Sequence, residues 1–298
     1  MQIIVKSVAV AAVLFLMGCE TEPEYATTRV GNFTYEFVEN VEGETAEVGD
    51  HATFHIEMMG TDSTGESKAI WSTYENNDGE AVHLQIPDMN DARNGGPFPE
   101  IATLLEMSPG DSAHVFQRLD TMSQKPRGLA QYNRVDYGIR LVKVQDHESY
   151  VREEGERRKK LQAQSDTVRE ELEDVLAKYE AGAYRNDLID LGDGLKKLVL
   201  QEGTGAVPTT GQKVVANYYG TLTDGTRFDD SYSAGKPFSF PLGQSRVIPG
   251  WDQGFAKMNK GERAVLFIPS DLGYGARGNA RIPADSDLVF LVELVDVQ

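Results

Sequence analysis

Residues 237–258 read PFSFPLGQSRVIPGWDQGFAKM. Two periods meet in this stretch. Phe238, Phe240 and Leu242 alternate with Ser239 and Pro241, the two-residue period of a strand with one apolar face. From Pro249 the pattern changes: Trp251, Phe255 and Met258 fall at i, i+4 and i+7, along one face of a short helix. Proline near a helix start is tolerated, because the N–H it lacks would have no partner in the helix anyway. Outward from here the chain reads as strands and tight turns. Lys213 to Leu222 places Val214, Ala216 and Tyr218 on one face, and Thr223-Asp224-Gly225-Thr226 carries the Asp-Gly of a hairpin turn. Leu195 to Gln201, Arg263 to Ile268 and Asp287 to Val297 read as further strands, the last almost wholly apolar. Several strands and a single apolar-faced helix predict an α+β fold: an antiparallel sheet wrapped on one short helix.

The order of motifs is specific. Tyr218-Tyr219-Gly220 comes first, followed by Arg227-Phe228-Asp229-Asp230-Ser231 behind the hairpin turn and then Pro237-Phe238-Ser239-Phe240-Pro241-Leu242-Gly243. Val247-Ile248-Pro249-Gly250-Trp251, Met258 with Gly261, Tyr274-Gly275, Ile282-Pro283 and Leu288-Val289-Phe290 complete the series. Together these residues resemble the FKBP family of peptidyl-prolyl cis-trans isomerases, and the resemblance covers about residues 195–298. It implies an FKBP-like sheet with a ligand pocket floored by Trp251. Tyr218, Phe228, Phe238 and Phe290 would wall the pocket, Val247, Ile248 and Ile282 would form its lip, and Asp229 and the Tyr274 hydroxyl would be its polar groups. The family also places a ligand-directed donor at the backbone N–H of Ile248. Phe240, Leu242, Phe255 and Phe267 read as plain core. Asp229 has a second reading, as the cap of a turn in Phe228-Asp229-Asp230-Ser231. The loop Asn279-Ala280-Arg281 departs from relatives that carry a histidine at the first of these positions.

The implied activity is rotation of X–Pro amides in polypeptides, with no cofactor and no metal. The family's macrolide ligands are implied alongside proline-containing polypeptides. A reading from another class stands beside it: a non-catalytic, lipid-anchored chaperone or scaffold that holds clients. Two other patterns are decoys. Gly273-Tyr274-Gly275-Ala276-Arg277-Gly278 spells a dinucleotide-binding loop, but Ile282-Pro283 follows where a helix should open. All five histidines (51, 55, 83, 114 and 147) lie in the first half, so the last domain holds no His for a nucleophile triad.

The first half carries a faint second copy. Met107-Ser108-Pro109-Gly110-Asp111 matches Met258-Asn259-Lys260-Gly261-Glu262, and Leu141-Val142-Lys143-Val144-Gln145 matches Leu294-Val295-Asp296-Val297-Gln298. Gly49-Asp50 stands before a strand-like run as Gly211-Gln212 does. This suggests two diverged copies of one fold. The copy is worn: Ile56 takes the place of Tyr218, Glu100 or Ile101 that of Trp251, and no Phe-Asp pair follows the turn at Thr64-Gly65. It is expected to be catalytically silent and to bind partners or order the assembly.

Between the copies, His147 to Glu180 is dense in charge and lacks proline, with Leu161, Val168, Leu172, Val175 and Tyr179 on one helical face. That stripe is expected to pack on a neighbouring domain; alternatively it could zip two chains into a homodimer through residues 150–180. The first residues form a leader: Lys6, an apolar run to Met17, then Leu16-Met17-Gly18-Cys19. The run is too short to span a bilayer. Its end resembles a bacterial lipobox, which implies lipidation at Cys19 and a place in the cell envelope, at the periplasmic or outer-membrane face. The expected organisation is a signal peptide over 1–18, a tether over 19–30, a degenerate FKBP-like domain over 31–147, a charged helical linker over 148–189 and the isomerase domain over 190–298. Composition limits the rest. Against 29 Lys and Arg stand 47 Asp and Glu, a net charge of −18, which argues against nucleic-acid binding and adsorption to anionic lipid. The single Cys excludes an intramolecular disulfide and a Cys-rich zinc site.

Overall fold

A computed structural model describes residues 28–30, 33–77, 79–88 and 98–298. The leader, Cys19 and most of the tether lie outside the described residues. The chain divides into two compact units between Tyr150 and Val151.

The first unit holds seven strands, β1 (Thr28–Val30), β2 (Phe33–Glu39), β3 (His51–Asp62), β4 (Ser67–Ser72), β5 (Val82–Gln85), β6 (Ser112–Arg118) and β7 (Tyr132–Gln145). Two short helices, α1 (Thr73–Asn76) and α2 (Pro99–Leu104), interrupt them. The sheet order is β1-β2-β6-β7-β3-β4, with β5 beside β3, and every pairing is antiparallel. Thr28–Val30, at the end of the expected tether, pairs with β2.

The long helix α3 (His147–Glu180) leads into the second unit. There follow β8 (Leu188–Gly192), β9 (Leu195–Gln201), β10 (Lys213–Leu222), β11 (Arg227–Asp230), α4 (Ser231–Ala234), β12 (Phe238–Pro241), α5 (Pro249–Phe255), β13 (Arg263–Ile268) and β14 (Leu288–Val297). Their order is β11-β10-β14-β13-β9-β8, with β12 beside β10. Read from the other edge, this is the strand order of the first sheet.

The likeness extends to single hydrogen bonds. Gly110 N–H donates to Leu141 O and Leu141 N–H returns to Asp111 O, at 2.8 and 3.0 Å; Gly261, Leu294 and Glu262 repeat the exchange at 2.7 and 3.0 Å. Both glycines have positive φ, +103° and +88°, a conformation that costs an L side chain energy. Gly49 N–H donates to Ile86 O at 2.9 Å, as Gly211 N–H does to Leu242 O. The register of β3 against β7 slips between Thr53 and Phe54, and that of β10 against β14 between Val215 and Ala216. This shared turn chemistry is what the sequence match between the two halves reflects.

The second sheet is covered on both faces. On one side α5 buries Trp251 and Phe255 with Leu266, Phe290 and Val292. On the other, Val168, Leu172 and Val175 of α3 pack with Leu198, Tyr219, Val265, Val289 and Leu291. Burying such side chains contributes about 1.5–3 kcal/mol each. Tyr179 stacks on Phe267 at 4.3 Å, and Arg263 and Glu171 pair at 2.8 Å. The near-continuous apolar run of β14 follows from this, since both its faces are inside. Val168, Leu172 and Val175 of the stripe are thus buried within the chain. The short helix α5 ends at Phe255; Met258 is buried in the turn beyond it rather than on the helix.

One cluster in the first unit has no local signature. His51 Nδ1 lies 3.1 Å from His83 Nε2, and His51 Nε2 lies 3.1 Å from His147 Nδ1. Tyr150 stacks on His51 at 3.8 Å. Burial first, and the neighbouring His83 and His147 next, push the His51 pKa below its usual value; Asp50 acts weakly in the other direction. A lowered histidine pKa means that the unfolded chain takes up the proton first as pH falls. Stability is therefore present above the unfolded pKa of about 6.5 and is lost as pH drops through the folded value. In a full chain carrying Trp251→Phe, Trp71 fluorescence should show a lower denaturation midpoint at pH 5.5 than at pH 7.5, and His51→Gln should shrink that difference. Equal midpoints at both pH values would refute this account.

Candidate functional site

The site is built on β10, β11, β12, the entry to α5, the loop before β14 and β14 itself. Ile248 is the N-cap of α5, Pro249 is its first residue, and Trp251 N–H donates to Ile248 O at 2.9 Å. Asp252, in the first turn, accepts from Gly243 N–H at 2.8 Å and Ser245 N–H at 3.3 Å, which fixes the loop carrying Val247 and Ile248. Trp251 is held from below by Phe240 and Phe255, with ring centroids 5.6 and 5.3 Å away, and is only 5% exposed.

Above Trp251, rings stand on edge. Tyr218 lies 5.1 Å away at 76°, Phe290 5.3 Å at 78° and Phe238 6.0 Å at 72°. Phe228 meets Phe290 at 5.4 Å and 80°. Edge-to-face pairs of this kind contribute about 0.5–1.5 kcal/mol each beyond area burial. Gly220 makes the close approach feasible. It pairs across the ladder with Phe290, and a Cβ there would fall 2.7 Å from the Phe290 ring and 2.8 Å from that of Phe228. The result is a cavity of about 470 Å³. All ten residues expected at the pocket line it, Tyr218, Phe228, Asp229, Phe238, Val247, Ile248, Trp251, Tyr274, Ile282 and Phe290. Phe238 and Tyr274, each 42% exposed, form the rim.

The polar groups divide between the two acidic neighbours. Asp230 is the turn cap: its carboxylate accepts from Ser233 N–H at 2.7 Å and begins α4. Asp229 faces the pocket and accepts from the Tyr218 hydroxyl at 2.6 Å. Desolvation, then the Asp229 carboxylate, push the Tyr218 pKa well up; desolvation first and Asp229 next also raise that of Tyr274. Both hydroxyls are therefore donors across the physiological range. Two N–H groups lack partners among the described residues. The Ile248 N–H donates to none of the atoms described. The buried Trp251 Nε1 is also unpartnered, although a buried indole N–H usually finds an acceptor.

Sequence reasoning passed over Arg246, Ala280 and Arg281 as lining residues. It left Asn279 unresolved, and the structure gives that residue a definite task. Its side-chain oxygen accepts from Arg281 N–H and Ile282 N–H at 2.8 and 2.9 Å and holds the turn that delivers Ile282. Arg281 Nη1 donates to Phe228 O at 3.1 Å, tying this loop to β11. The Asn-Ala-Arg sequence signalled a loop, but nothing local says which way an arginine there extends.

In the first unit the register shows what stands at the equivalent points. Ile56 pairs across to Ile139 as Tyr218 does to Val292, and Met58 pairs with Tyr137 as Gly220 does with Phe290. Trp71 sits opposite Met58 where Asp229 sits opposite Gly220, so Ile70 corresponds to Phe228. Ile101, two residues after the first proline of α2, corresponds to Trp251. The aromatic floor and the pocket acid are both replaced, and Met58 adds a side chain where the second unit has none.

A short helix lies under an antiparallel sheet, with a ring-lined cavity at its N-terminus. Residues 205–295 match the profile of the FKBP-type peptidyl-prolyl cis-trans isomerases. FK506-binding protein 1 of Dictyostelium discoideum is 48% identical over 103 residues, 34% of this chain and 96% of that protein. The FKBP-type peptidyl-prolyl cis-trans isomerase FkpA of Escherichia coli (strain K12) is 48% identical over 105 residues, 35% of this chain and 38% of that one, so well under half of its length is matched. The crystal structure of FkpA from Escherichia coli aligns over 46% of this chain and 64% of that one, at 39% identity and a TM-score of 0.38. The chain belongs to the FKBP family of peptidyl-prolyl cis-trans isomerases, through its second unit.

Proposed function

We propose that the second unit isomerises X–Pro bonds of folding polypeptides outside the cytoplasm, with Tyr218, Phe228, Asp229, Phe238, Val247, Ile248, Trp251, Tyr274, Ile282 and Phe290 as its working residues. The observation that carries this reading is the cavity floored by Trp251, walled by edge-on rings and supplied with donors at Ile248 N–H and Tyr274 O–H. Amide resonance sets a barrier of about 18–20 kcal/mol to rotation. At 90° that resonance is lost, and the twisted amide carries less charge separation than the planar one. A dry aromatic pocket therefore favours the twisted amide over the planar ground state, which is differential binding of the transition state. Donors at the rim orient the carbonyls that flank the bond. No proton moves, so Asp229 acts through Tyr218, holding its ring and hydroxyl in place, rather than as a base.

The first unit, on this reading, is a diverged FKBP-like copy without isomerase activity that binds polypeptide or assembly partners. Its strand order and turn bonds support the kinship, and the loss of its aromatic floor supports the silence. The lipobox-like sequence ending at Cys19 supports a lipid anchor in the envelope. Among the described residues no helix is long and apolar enough to cross a membrane.

The test is catalysis of cis-trans exchange in a Leu-Pro peptide by the full chain. Exchange should rise well above the uncatalysed rate, which runs over tens to hundreds of seconds, and FK506, the ligand that names the Dictyostelium discoideum relative, should suppress it. A rate equal to the uncatalysed one would leave the non-catalytic client-binding reading in its place. Release of a Cys19→Ser chain into the soluble fraction is expected if Cys19 carries the anchor; an unchanged membrane fraction would reject that part.

A further inference from the structure

The cavity carries charge that the isomerase reading does not use. Its lining includes Arg246, on the loop just before the lip residue Val247, and Arg281, on the loop that delivers Ile282. These belong to two separate loops bordering one cavity. Both side chains are exposed, so their charges are open to solvent and to a bound chain. Among the described residues Arg246 has no ion-pair or hydrogen-bond partner, while Arg281 spends one N–H on Phe228 O. The third charged lining residue, Asp229, is already engaged: one oxygen accepts from Tyr218 O–H and the other from Asp230 N–H. The cavity lining thus carries two arginines against one occupied carboxylate, in a chain whose net charge is −18. Cationic guanidinium groups with spare donors recognise carboxylates through charge-assisted hydrogen bonds.

We infer that Arg246 and Arg281 are specificity residues that select polypeptides with an acidic side chain next to the isomerised proline. This rests on the isomerase reading and adds a substrate class to it. Exposed ion pairs are individually weak. The two together should favour Glu over Lys beside proline by about threefold to tenfold in kcat/KM, and the preference should fade as salt screens the charges.

The test uses the full chain and two trios of peptides that differ only in Leu, Glu or Lys, placed before the proline in one trio and after it in the other. The Glu-to-Lys ratio of kcat/KM should exceed about three in at least one trio at low salt and approach one in 1 M NaCl. Arg246→Gln, which leaves the Arg281–Phe228 bond in place, should lower the ratio, and Arg246→Gln/Arg281→Gln should bring it to about one. Absence of Leu-Pro catalysis by the unaltered chain would overturn the isomerase reading itself. Good Leu-Pro catalysis with a ratio near one in both trios, or a ratio that survives the double substitution, would overturn this inference alone.

Discussion

Lys197→Met is expected to destabilise the second unit by about 3–5 kcal/mol, because it strands a carboxylate inside the protein. Lys197 of β9 and Glu262 form an ion pair at 2.6 Å with side chains only 6% and 2% exposed. Both groups are held by further bonds. Lys197 Nζ also donates to Lys257 O at 2.6 Å, and the second Glu262 oxygen accepts from Asn259 N–H at 3.0 Å. The pair therefore joins β9 to the turn that leaves α5, the helix on which Trp251 stands. Removing the ammonium alone leaves the desolvated carboxylate without its counter-charge. Removing both charges in Lys197→Met/Glu262→Leu leaves none, so most of the loss should return. Denaturant titration of full chains carrying Trp71→Phe, followed by Trp251 fluorescence, reads this as a fall in midpoint at unchanged slope. A single substitution costing under about 1 kcal/mol, or a double as damaging as the single, would reject the argument.

The same pair shows how far the sequence was legible. Met-x-x-Gly followed by an acid recurs because the backbone demands it: the glycine takes positive φ, and the acid accepts the N–H three residues before it, Ser108 for Asp111 and Asn259 for Glu262. Local demands of that kind can be read directly. What holds the acid's other oxygen is not local. Lys197 does so in the second unit, and the Val41 N–H does so in the first. The pocket residues were legible through the family resemblance that the order of motifs carries. Arg246 and Arg281 were not, since a loop's sequence does not give a long side chain's direction. The second covered face of the sheet was half visible. The stripe on α3 was there, and so was the two-sided apolar run of β14, but joining them needs the path of the chain after Glu180. The histidine cluster joins positions 51, 83 and 147, which no periodicity connects.

Trp251→Ala should abolish isomerase activity, with a loss of at least a hundredfold in kcat/KM, about 2.7 kcal/mol of transition-state stabilisation. Tyr218, Phe238 and Phe290 all rest their edges on this one ring, so its removal takes away both the surface under the substrate and the partner that keeps the walls upright. Truncating a buried Trp also costs about 3–5 kcal/mol of stability, so the loss of rate must be separated from loss of fold. Trp251→Phe makes the separation. It keeps an aromatic floor and deletes an N–H that has no partner among the described residues, and dropping an unsatisfied buried donor recovers part of what the lost volume costs. The phenylalanine chain should therefore stay folded and keep a substantial fraction of the rate, whereas the alanine chain should fall to the uncatalysed level even at temperatures where circular dichroism shows it folded. Equal rates for Trp251→Ala and the unaltered chain would mean that the proline ring is not hosted over this indole. Equal loss in Trp251→Phe and Trp251→Ala would mean that the N–H, and not the aromatic surface, is what the substrate meets.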